Sequence, residues 1–304
     1  MGQLIITMIY KLPNDPDVRL ICCDMDGTLL KKDGTLPEGF WEMYKELESR
    51  NIPFVPSSGR QLATLRKTFG PEAQKMSFIA ENGNMVMHDN RIVFATCLDT
   101  KHIAPVEAKV REAVAAGRNV GLVVCGHNSA YTDRGDQAFL DKVRQYYCEC
   151  KKVDNIFDIP DKILKLAVFD FEDAIKSLPH FSHFEPELSV VASSEFWIDI
   201  MDPAINKGVA VRAMQDALNI SHRQTAAFGD YLNDLEMLQS VGLSFAMDNA
   251  HEDLVKVAKY RAPHHEDGGV VQVVNAILPD GLKRAASSAE LKQLQLRAIS
   301  SVSS

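Results

Sequence analysis

The chain is organised around Leu20-Ile21-Cys22-Cys23-Asp24-Met25-Asp26-Gly27-Thr28-Leu29, an apolar run that ends in two carboxylates and a glycine. A short apolar run bounded by a turn signal is typical of a buried strand in a parallel sheet. Open α/β sheets bind ligands beyond the carboxyl ends of their strands, so Asp24 and Asp26 stand where a site is expected. Both side chains point the same way, and two like charges there need a cation or a shared proton.

Composition narrows the class of protein. The 304 residues suffice for one large domain or two modest ones with a sizeable buried core. The net charge of −8 argues against a nucleic-acid partner, because binding to a phosphate backbone needs a basic face. No apolar run approaches the length of a membrane span, so no membrane partner is expected. The six cysteines include no CxxC pair and predict reduced thiols in a cytoplasmic protein. The protein is expected to be a monomer or weak homo-oligomer.

Two more predicted strands follow, and each ends in a polar cluster. The strand at 52–56 leads into Ser57-Ser58-Gly59-Arg60, where a hydroxyl and backbone N–H groups at a helix N-terminus suit an anion. The strand at 77–80 ends in Glu81-Asn82-Gly83-Asn84. Helical spacing over residues 38–50 and 61–69 separates the three strands and predicts a βαβαβ unit.

The middle and the last third of the chain differ. Residues 96–196 hold predicted strands that end in no carboxylate pair or glycine-rich turn, which indicates a second α/β domain inserted in the first. The first pattern resumes with a strand at Ile198–Met201 and with Asn206-Lys207-Gly208 at the start of a helix. A strand at 225–228 then ends in Gly229-Asp230-Tyr231-Leu232-Asn233-Asp234.

The predicted architecture is an α/β fold with a Rossmann-like, doubly wound parallel-sheet core and an inserted α/β domain. Its parts are an N-terminal extension at 1–17, a discontinuous core at 18–95 and 197–280, the inserted domain at 96–196, and a C-terminal tail at 281–304.

The polar clusters suit phosphoryl chemistry. Mg²⁺ prefers hard oxygen ligands, which Asp24 and Asp230 can supply. A carboxylate can attack phosphorus when a cation and hydrogen-bond donors, such as Lys207 and Ser58, hold the phosphoryl charge. Asp26, two residues from that nucleophile, could protonate the leaving group and later deprotonate the attacking water.

Four motifs in this order resemble those of the haloacid dehalogenase superfamily of phosphotransferases. They are Asp24-Met25-Asp26-Gly27-Thr28-Leu29, Ser58-Gly59-Arg60, Asn206-Lys207-Gly208 and Gly229-Asp230-Tyr231-Leu232-Asn233-Asp234. The resemblance narrows to the Cof-type sugar-phosphate phosphatase branch through Glu81-Asn82-Gly83, Ala246-Met247-Asp248-Asn249-Ala250 and Asp267-Gly268-Gly269-Val270. It covers roughly residues 18–278.

The resemblance implies a role for each matching position. Asp24 would be the nucleophile, Asp26 the acid/base, and Asp230 a metal ligand beside Asp24 and the main chain of Asp26. Ser58 and Lys207 would bind phosphate and act in catalysis, and Asp234 would orient Lys207 or a metal-bound water. The remaining candidates for phosphate or substrate binding are Met25, Gly59, Arg60, Asn82 and Asn233. The inserted domain resembles the family's large cap, which closes over the site and selects the substrate.

Some of these residues have simpler interpretations. Arg60 is as suited to a structural ion pair as to substrate contact. Glu81 and Asn82 could serve only as turn residues. The pair His264-His265, where the family often has asparagine, is interpreted as a solvated loop rather than as metal ligands. The inserted domain offers three cations that could meet an anionic substrate, which are Arg134, Lys151 and Lys165.

The chain departs from the family pattern at a few positions. Ser58 replaces the more usual threonine and keeps the hydroxyl, Tyr231 replaces a small residue, and Asp248 replaces a glycine. We expect these changes to affect the rim of the substrate site and to leave the phosphoryl chemistry alone.

The function indicated is that of a Mg²⁺-dependent phosphatase acting on a small phosphomonoester through a phospho-aspartate. The substrate could be a sugar phosphate or a phosphorylated cofactor such as pyridoxal phosphate or flavin mononucleotide. A phosphomutase on the same scaffold is the nearest alternative. A non-catalytic protein that senses sugar phosphates is an alternative from another class.

Overall fold

The computed structural model describes residues 10–13 and 16–278. The predicted tail at 281–304 lies outside the described residues, as does most of the predicted extension at 1–17. None of the helices in the described part of the chain is long and apolar enough to cross a membrane.

The strands and helices follow one another in three groups. The first group is β1 (Leu20–Cys23), α1 (Phe40–Ser49), β2 (Phe54–Pro56), α2 (Leu62–Phe69), β3 (Phe78–Ala80), β4 (Met85–His88) and β5 (Arg91–Ala95). The second is α3 (Ile103–Ala115), β6 (Val120–Gly126), β7 (Ala130–Thr132), α4 (Gln137–Tyr146), β8 (Cys150–Lys152), β9 (Ile163–Asp170), α5 (Ala174–Phe181), β10 (Ser189–Ala192) and β11 (Trp197–Met201). The third is α6 (Lys207–Leu218), β12 (Thr225–Gly229), α7 (Leu235–Gln239), β13 (Leu243–Met247), α8 (Glu252–Val257), β14 (Tyr260–Ala262) and α9 (Gly269–Ile277).

Five strands form a parallel sheet, which we call the core sheet, in the order β14, β13, β12, β1 and β2. From β1 the chain moves first to β2 on one side and later to β12 on the other. The order therefore reverses beside β1, which is where ligands bind in such sheets. The prediction of a doubly wound, parallel-sheet core is confirmed.

Alternate residues of β1 explain why helices cover both faces of the core sheet. Ile21 and Cys23 pack in one apolar cluster with residues of α1 and α9. Leu20 and Cys22 pack in another with residues of α6 and α7. Because successive side chains of a strand point to opposite faces, an unbroken apolar run requires cover on both sides.

The third predicted strand leaves the parallel pattern. β3 meets the end of β2 through a single bridge between Ser57 and Ile79. It otherwise pairs antiparallel with β4, and β4 pairs with β5. The chain therefore turns away from the core sheet before it enters the inserted region.

Six strands form a second sheet, which we call the cap sheet, in the order β10, β11, β9, β6, β7 and β8. Leu166 and Val168 of β9 pack on the face that α3 and α5 cover. Ala167 and Phe169 pack on the opposite face, with α4. The predicted insertion of a second α/β unit into the core is confirmed.

One strand prediction is wrong. The predicted core strand Ile198–Met201 lies in β11, which pairs antiparallel with both β9 and β10 of the cap sheet. An apolar run indicates burial without indicating which sheet buries it. The predicted junction between 96–196 and 197–280 therefore falls before a strand of the cap sheet rather than after it.

Candidate active site

Neighbouring strands of the core sheet bring Asp24 and Asp230 together. Asp24 follows β1, and its backbone N–H donates to the carbonyl of Phe228 in β12 at 3.0 Å. Asp230 directly follows β12, which pairs with β1 in register. Parallel strands end at the same edge of a sheet, so two acids that follow adjacent strands face one site.

Lys207 lies between two of the acids. Asn206 caps helix α6 through its side-chain oxygen, which accepts from the backbone N–H of Val209 at 2.9 Å, and Lys207 is the first helical residue. Its Nζ donates to Oδ1 of Asp24 at 2.5 Å and to Oδ1 of Asp234 at 2.6 Å. Burial alone disfavours the ammonium, but the Asp234 and Asp24 carboxylates outweigh it and raise the pKa of Lys207. The lysine is therefore charged.

Three carboxylates meet around this single ammonium. One oxygen each from Asp24, Asp230 and Asp234 lies within 4.8 Å of the others. Burial first, and then the charge of Asp234, raises the pKa of Asp24 to about 7. Burial and the charges of Asp24 and Asp234 also raise the pKa of Asp230 well above its ordinary value. An excess of buried negative charge with only oxygen donors suits a divalent cation such as Mg²⁺.

Hydrogen bonds distinguish the acids that are free to bind a cation. Both oxygens of Asp234 are engaged, one by Lys207 and the other by the backbone N–H groups of Asp230 and Tyr231 at 3.0 and 3.2 Å. Among the described residues, no hydrogen bond engages Oδ2 of Asp24. Asp230 accepts from Thr28 at Oδ1 and, at 3.4 Å, from Asn249 at Oδ2, so Asp24 alone of the three acids keeps an oxygen without a hydrogen bond among the described residues.

The turn after Asp26 fits closely around Asp230. Gly27 has a φ of +80°, and a Cβ built on it would overlap Oδ2 of Asp230. The next residue, Thr28, donates its hydroxyl to Oδ1 of Asp230 at 2.8 Å. Asn249 donates to the carbonyl of Gly27 at 2.8 Å. The glycine is required here both for its backbone conformation and for the close approach of the acid.

Arg60 forms a two-point ion pair with Asp26. Its Nε donates to Oδ2 at 2.7 Å and its Nη2 to Oδ1 at 2.5 Å. The guanidinium also lies over the ring of Tyr146, 4.9 Å from its centroid. Of the two interpretations of Arg60, the ion pair is therefore the one seen, and its partner is the second acid of the opening segment.

The remaining predicted residues lie at different depths. The hydroxyl of Ser58 accepts from the backbone N–H of Arg60 at 3.1 Å, and Ser58, Gly59 and Asn233 line the cavity beside Asp24. Asn82 lies behind that wall, where its Oδ1 accepts from Asn233 at 2.9 Å. The side chain of Met25 packs into the apolar core, so only its main chain lies at the site.

A cavity of about 30 Å³ lies between the core and cap sheets. Its core side includes Asp24, Asp26 and Ser58, and its cap side includes Tyr146 and Trp197. A larger cleft of about 710 Å³ adjoins it and shares Asp26 and Tyr146. A small reacting group could therefore sit beside the acids while the rest of a ligand occupies the cleft.

Two departures from the family pattern have structural explanations. Asp248 accepts from the hydroxyl of Tyr10 at 2.5 Å and from Arg261 at 3.2 Å, so it holds the segment at 10–13 against the core. His265 is buried, with its Nδ1 at 2.7 Å from the carbonyl of Leu30. The interpretation of His265 as part of a solvated loop is wrong, because its ring fixes the turn that follows Thr28.

Sequence reasoning missed the importance of two buried charges, Lys165 in β9 and Asp199 in β11. The expectation that Lys165 meets an anionic substrate is wrong, since its side chain is fully buried beside Glu81 and Asp199. A signal was present in the sequence: Asp199 is the single charged residue of β11, and Lys165 interrupts the apolar residues of β9, whose other charged residue, Asp170, ends the strand. Such a residue is buried only when it has a partner of opposite charge.

Glu81 should give the protein a distinctive pH dependence of stability. Burial, partly offset by Lys165, raises the pKa of Glu81 to about 7 from an ordinary 4.5. A raised folded-state pKa means that the group stabilises the fold at low pH and that this contribution is lost as pH rises through the folded value. Burial also raises the pKa of the adjacent Cys125 and Tyr147, so both stay neutral over this range.

We therefore expect Glu81→Gln to flatten the dependence of stability on pH. Between about pH 5 and about pH 8, the free energy of unfolding of the wild type should fall by roughly 2 kcal/mol more than that of the variant. Urea unfolding at a series of pH values measures the difference. Parallel curves for the two proteins would show that Glu81 does not titrate in this range.

Known proteins resemble this chain over most of its length. A sequence model described as haloacid dehalogenase-like hydrolase matches residues 21–274. The Escherichia coli (strain K12) protein 5-amino-6-(5-phospho-D-ribitylamino)uracil phosphatase YbjI is 32% identical over 265 residues, covering 86% of this chain and 96% of that protein. HMP-PP phosphatase of Cronobacter sakazakii (strain ATCC BAA-894) is 27% identical over 248 residues, covering 78% of this chain and 86% of that protein.

A solved structure shares the fold. That of a haloacid dehalogenase-like hydrolase from Bacillus subtilis superposes with a TM-score of 0.75 at 23% identity, covering 86% of this chain and 100% of that one. At this level of identity the likeness bears on the fold alone. The matched span includes both the core sheet and the cap sheet.

Proposed function

This chain belongs to the haloacid dehalogenase-like hydrolases, and from that premise we propose that it is a Mg²⁺-dependent phosphatase of small phosphomonoesters. Asp24 is the nucleophile and becomes a phospho-aspartate. The observation that carries the proposal is the contact of the buried Lys207 ammonium with Oδ1 of Asp24 at 2.5 Å. Within the described part of the chain Oδ2 has no hydrogen bond, and Asp24 lines the cavity.

The reaction has two steps. In the first, a carboxylate oxygen of Asp24 forms a bond to phosphorus, the ester P–O bond breaks, and Asp26 gives a proton to the leaving alkoxide. In the second, Asp26 takes a proton from a water that attacks the same phosphorus, which releases inorganic phosphate and restores Asp24. Arg60 orients the Asp26 carboxylate through its two hydrogen bonds, and one of them opens when that oxygen carries the proton that Asp26 donates.

Lys207 and Ser58 hold the phosphoryl oxygens, and Asp234 keeps Lys207 in place through their ion pair. Asp24, Asp230 and the main-chain carbonyl of Asp26 would hold the Mg²⁺. When bound, the ion would supply positive charge that reduces the repulsion between the attacking carboxylate and the phosphoryl group.

The cap side of the cleft faces the rest of the substrate. Around the cavity and the cleft, Tyr146 and Trp197 of the cap and Tyr231 of the core offer aromatic surface, and Ser193 and Ser194 of the cap offer hydroxyls. This lining suits a leaving group that carries hydroxyls or a planar ring. Sugar phosphates, pyridoxal phosphate, flavin mononucleotide and 5-amino-6-(5-phospho-D-ribitylamino)uracil are the candidates. We further propose a cytoplasmic enzyme that is a monomer or weak homo-oligomer.

A panel of phosphomonoesters, assayed with and without Mg²⁺, tests this function. We expect release of inorganic phosphate from at least one sugar or cofactor phosphate, and its loss when the metal is removed with a chelator. Restoration by added Mg²⁺ would show that the loss is not caused by unfolding. Conversion of a hexose phosphate into an isomer without phosphate release would favour the phosphomutase. Tight binding without turnover of any substrate would favour the sensor.

A further inference from the structure

A fully buried lysine of the cap sheet reaches into the core beside the candidate active site. The Nζ of Lys165 lies 2.9 Å from Oδ1 of Asp199 and 3.3 Å from Oε2 of Glu81. It also donates to the main-chain carbonyl of Gly59 at 2.8 Å. Lys165 and Asp199 belong to adjacent strands of the cap sheet, whereas Gly59 and Glu81 follow strands β2 and β3 on the core side.

The charges explain why Lys165 is buried but do not explain its third contact. All three charged side chains are at most 2% exposed, and one ammonium faces two carboxylates. Burial disfavours the ammonium, but Asp199 and Glu81 outweigh that cost and raise the pKa of Lys165. The hydrogen bond to the Gly59 carbonyl adds no charge pairing, and it fixes the direction of one peptide group.

That peptide group lies between two residues of the proposed mechanism. The Gly59 carbonyl precedes Arg60, whose guanidinium holds Asp26, and follows Ser58, which lines the cavity beside Asp24. A Cβ on Gly59 would lie 3.3 Å from Oδ2 of Asp199, so a glycine allows the cap carboxylate its close approach.

A second contact holds the same turn from the core side. The backbone N–H of Asn82 donates to the carbonyl of Ser58 at 3.0 Å, and the side-chain amide of Asn82 donates to Asp199. Glu81 and Asn82 hold positive φ values of 53° and 57°, a conformation that costs energy in residues other than glycine. The Glu81-Asn82-Gly83 motif therefore contacts both the core and the cap sheet. Neither its interpretation as a turn nor its interpretation as a substrate-binding segment included this role.

We propose that Lys165 is a positioning residue for phosphoryl transfer: by holding the Gly59 carbonyl it orients the Ser58–Arg60 turn, and so aims Arg60 at Asp26. This inference rests on the proposed function. Because the lysine comes from the cap sheet, the proton-transfer group is aligned only when the cap sheet occupies the position seen here. The movement that closes the cap sheet over the substrate then also aligns the Asp26 carboxyl for proton transfer.

The test compares Lys165→Met/Glu81→Gln with Glu81→Gln alone. Above about pH 8, where Glu81 is ionised, the double variant keeps the net charge of the wild-type cluster but loses the lysine. The single variant keeps the bond from Lys165 to Gly59. Lys176→Met is the matched control, because Lys176 is a cap lysine whose side chain is 73% exposed. Circular dichroism and the urea midpoint establish that each variant is folded.

Two substrates separate positioning from general damage to the fold. One is the alkyl phosphomonoester turned over fastest in the panel, whose leaving group needs a proton, and the other is 4-nitrophenyl phosphate, whose leaving group does not. The readout is kcat/KM, which reports the steps up to departure of the leaving group and not the later attack of water, a step that both substrates share. Relative to Glu81→Gln, kcat/KM of the double variant should fall by about 10- to 100-fold on the alkyl ester, and the fall on 4-nitrophenyl phosphate should be smaller by a factor of at least about 5. A merely structural role would lower both rates by the same factor.

Asp199→Asn is a second variant, in which the side chain keeps its size but the ion pair with Lys165 is lost. It should lower the rate on the alkyl ester relative to the rate on 4-nitrophenyl phosphate, by a smaller factor than the double variant does. An unchanged ratio in both variants, with an active wild type, overturns the inference and leaves the proposed function standing. A wild type that hydrolyses neither substrate overturns the proposed function, and the inference with it.

Discussion

Asp24→Asn should lower kcat for phosphate release by about 10⁴-fold or more while the protein stays folded. The carboxamide is similar in size to the carboxylate, and its oxygen can still accept the hydrogen bond that Lys207 donates at 2.5 Å. It is, however, a poor nucleophile toward phosphorus, so the covalent step is lost. The substitution removes a charge that the buried cluster holds in excess, and we therefore expect no loss of stability.

A phosphate-release assay measures this effect on the best substrate of the panel. Asp216→Asn is the matched control, because Asp216 is an exposed acid on helix α6, the same helix that begins with Lys207. The control should keep wild-type kcat. Turnover by Asp24→Asn within about 10-fold of the wild type would rule out the covalent mechanism.

Lys207→Met should damage both activity and stability. The ammonium has no exposed surface and is shared by Asp24 and Asp234, so its removal leaves two buried carboxylates without their counter-charge. Breaking a buried ion pair in this way costs about 3–5 kcal/mol of unfolding free energy. The loss should be smaller when Mg²⁺ is present, because the cation compensates part of the negative charge.

Urea unfolding with and without Mg²⁺ measures this cost, and the phosphate assay measures the loss of turnover. Lys256→Met serves as the control, since Lys256 is 64% exposed and pairs with Asp253 on the surface. Its effect should stay within about 0.5 kcal/mol. If Lys207→Met matched this control in stability and kept its turnover, Lys207 would have no role in holding Asp24.

The parts of the fold that local patterns determine could be predicted from the sequence. The opening strand, the crossover helices and the polar clusters each depend on a few consecutive residues. Because parallel strands end at one edge, their order along the chain also predicted that Asp24, Asp230 and Lys207 would meet. In the structure Lys207 donates to Asp24 at 2.5 Å, and an oxygen of Asp230 lies within 4.8 Å of one of Asp24.

The parts that depend on pairing between distant residues could not be predicted. The apolar run of β11 indicates a buried strand, but only its pairing with β9 and β10 places it in the cap sheet. The same holds for Arg60, whose sequence context does not show that its partner is Asp26. Tyr146 and Trp197 reach the cavity from the cap sheet and its helix, and no local signal distinguishes them from ordinary core aromatics.

We propose that Asp24 carries the phosphoryl group during turnover, and trapping the phospho-aspartate in acid is the direct test. Enzyme turning over its best substrate with Mg²⁺ is quenched in acid, digested and analysed by mass spectrometry. We predict one phosphoryl group on the peptide that contains Asp24, located at that residue by fragmentation and absent from Asp24→Asn. Phosphate release with no phosphoryl group on Asp24, or with the group on another residue, would contradict the account.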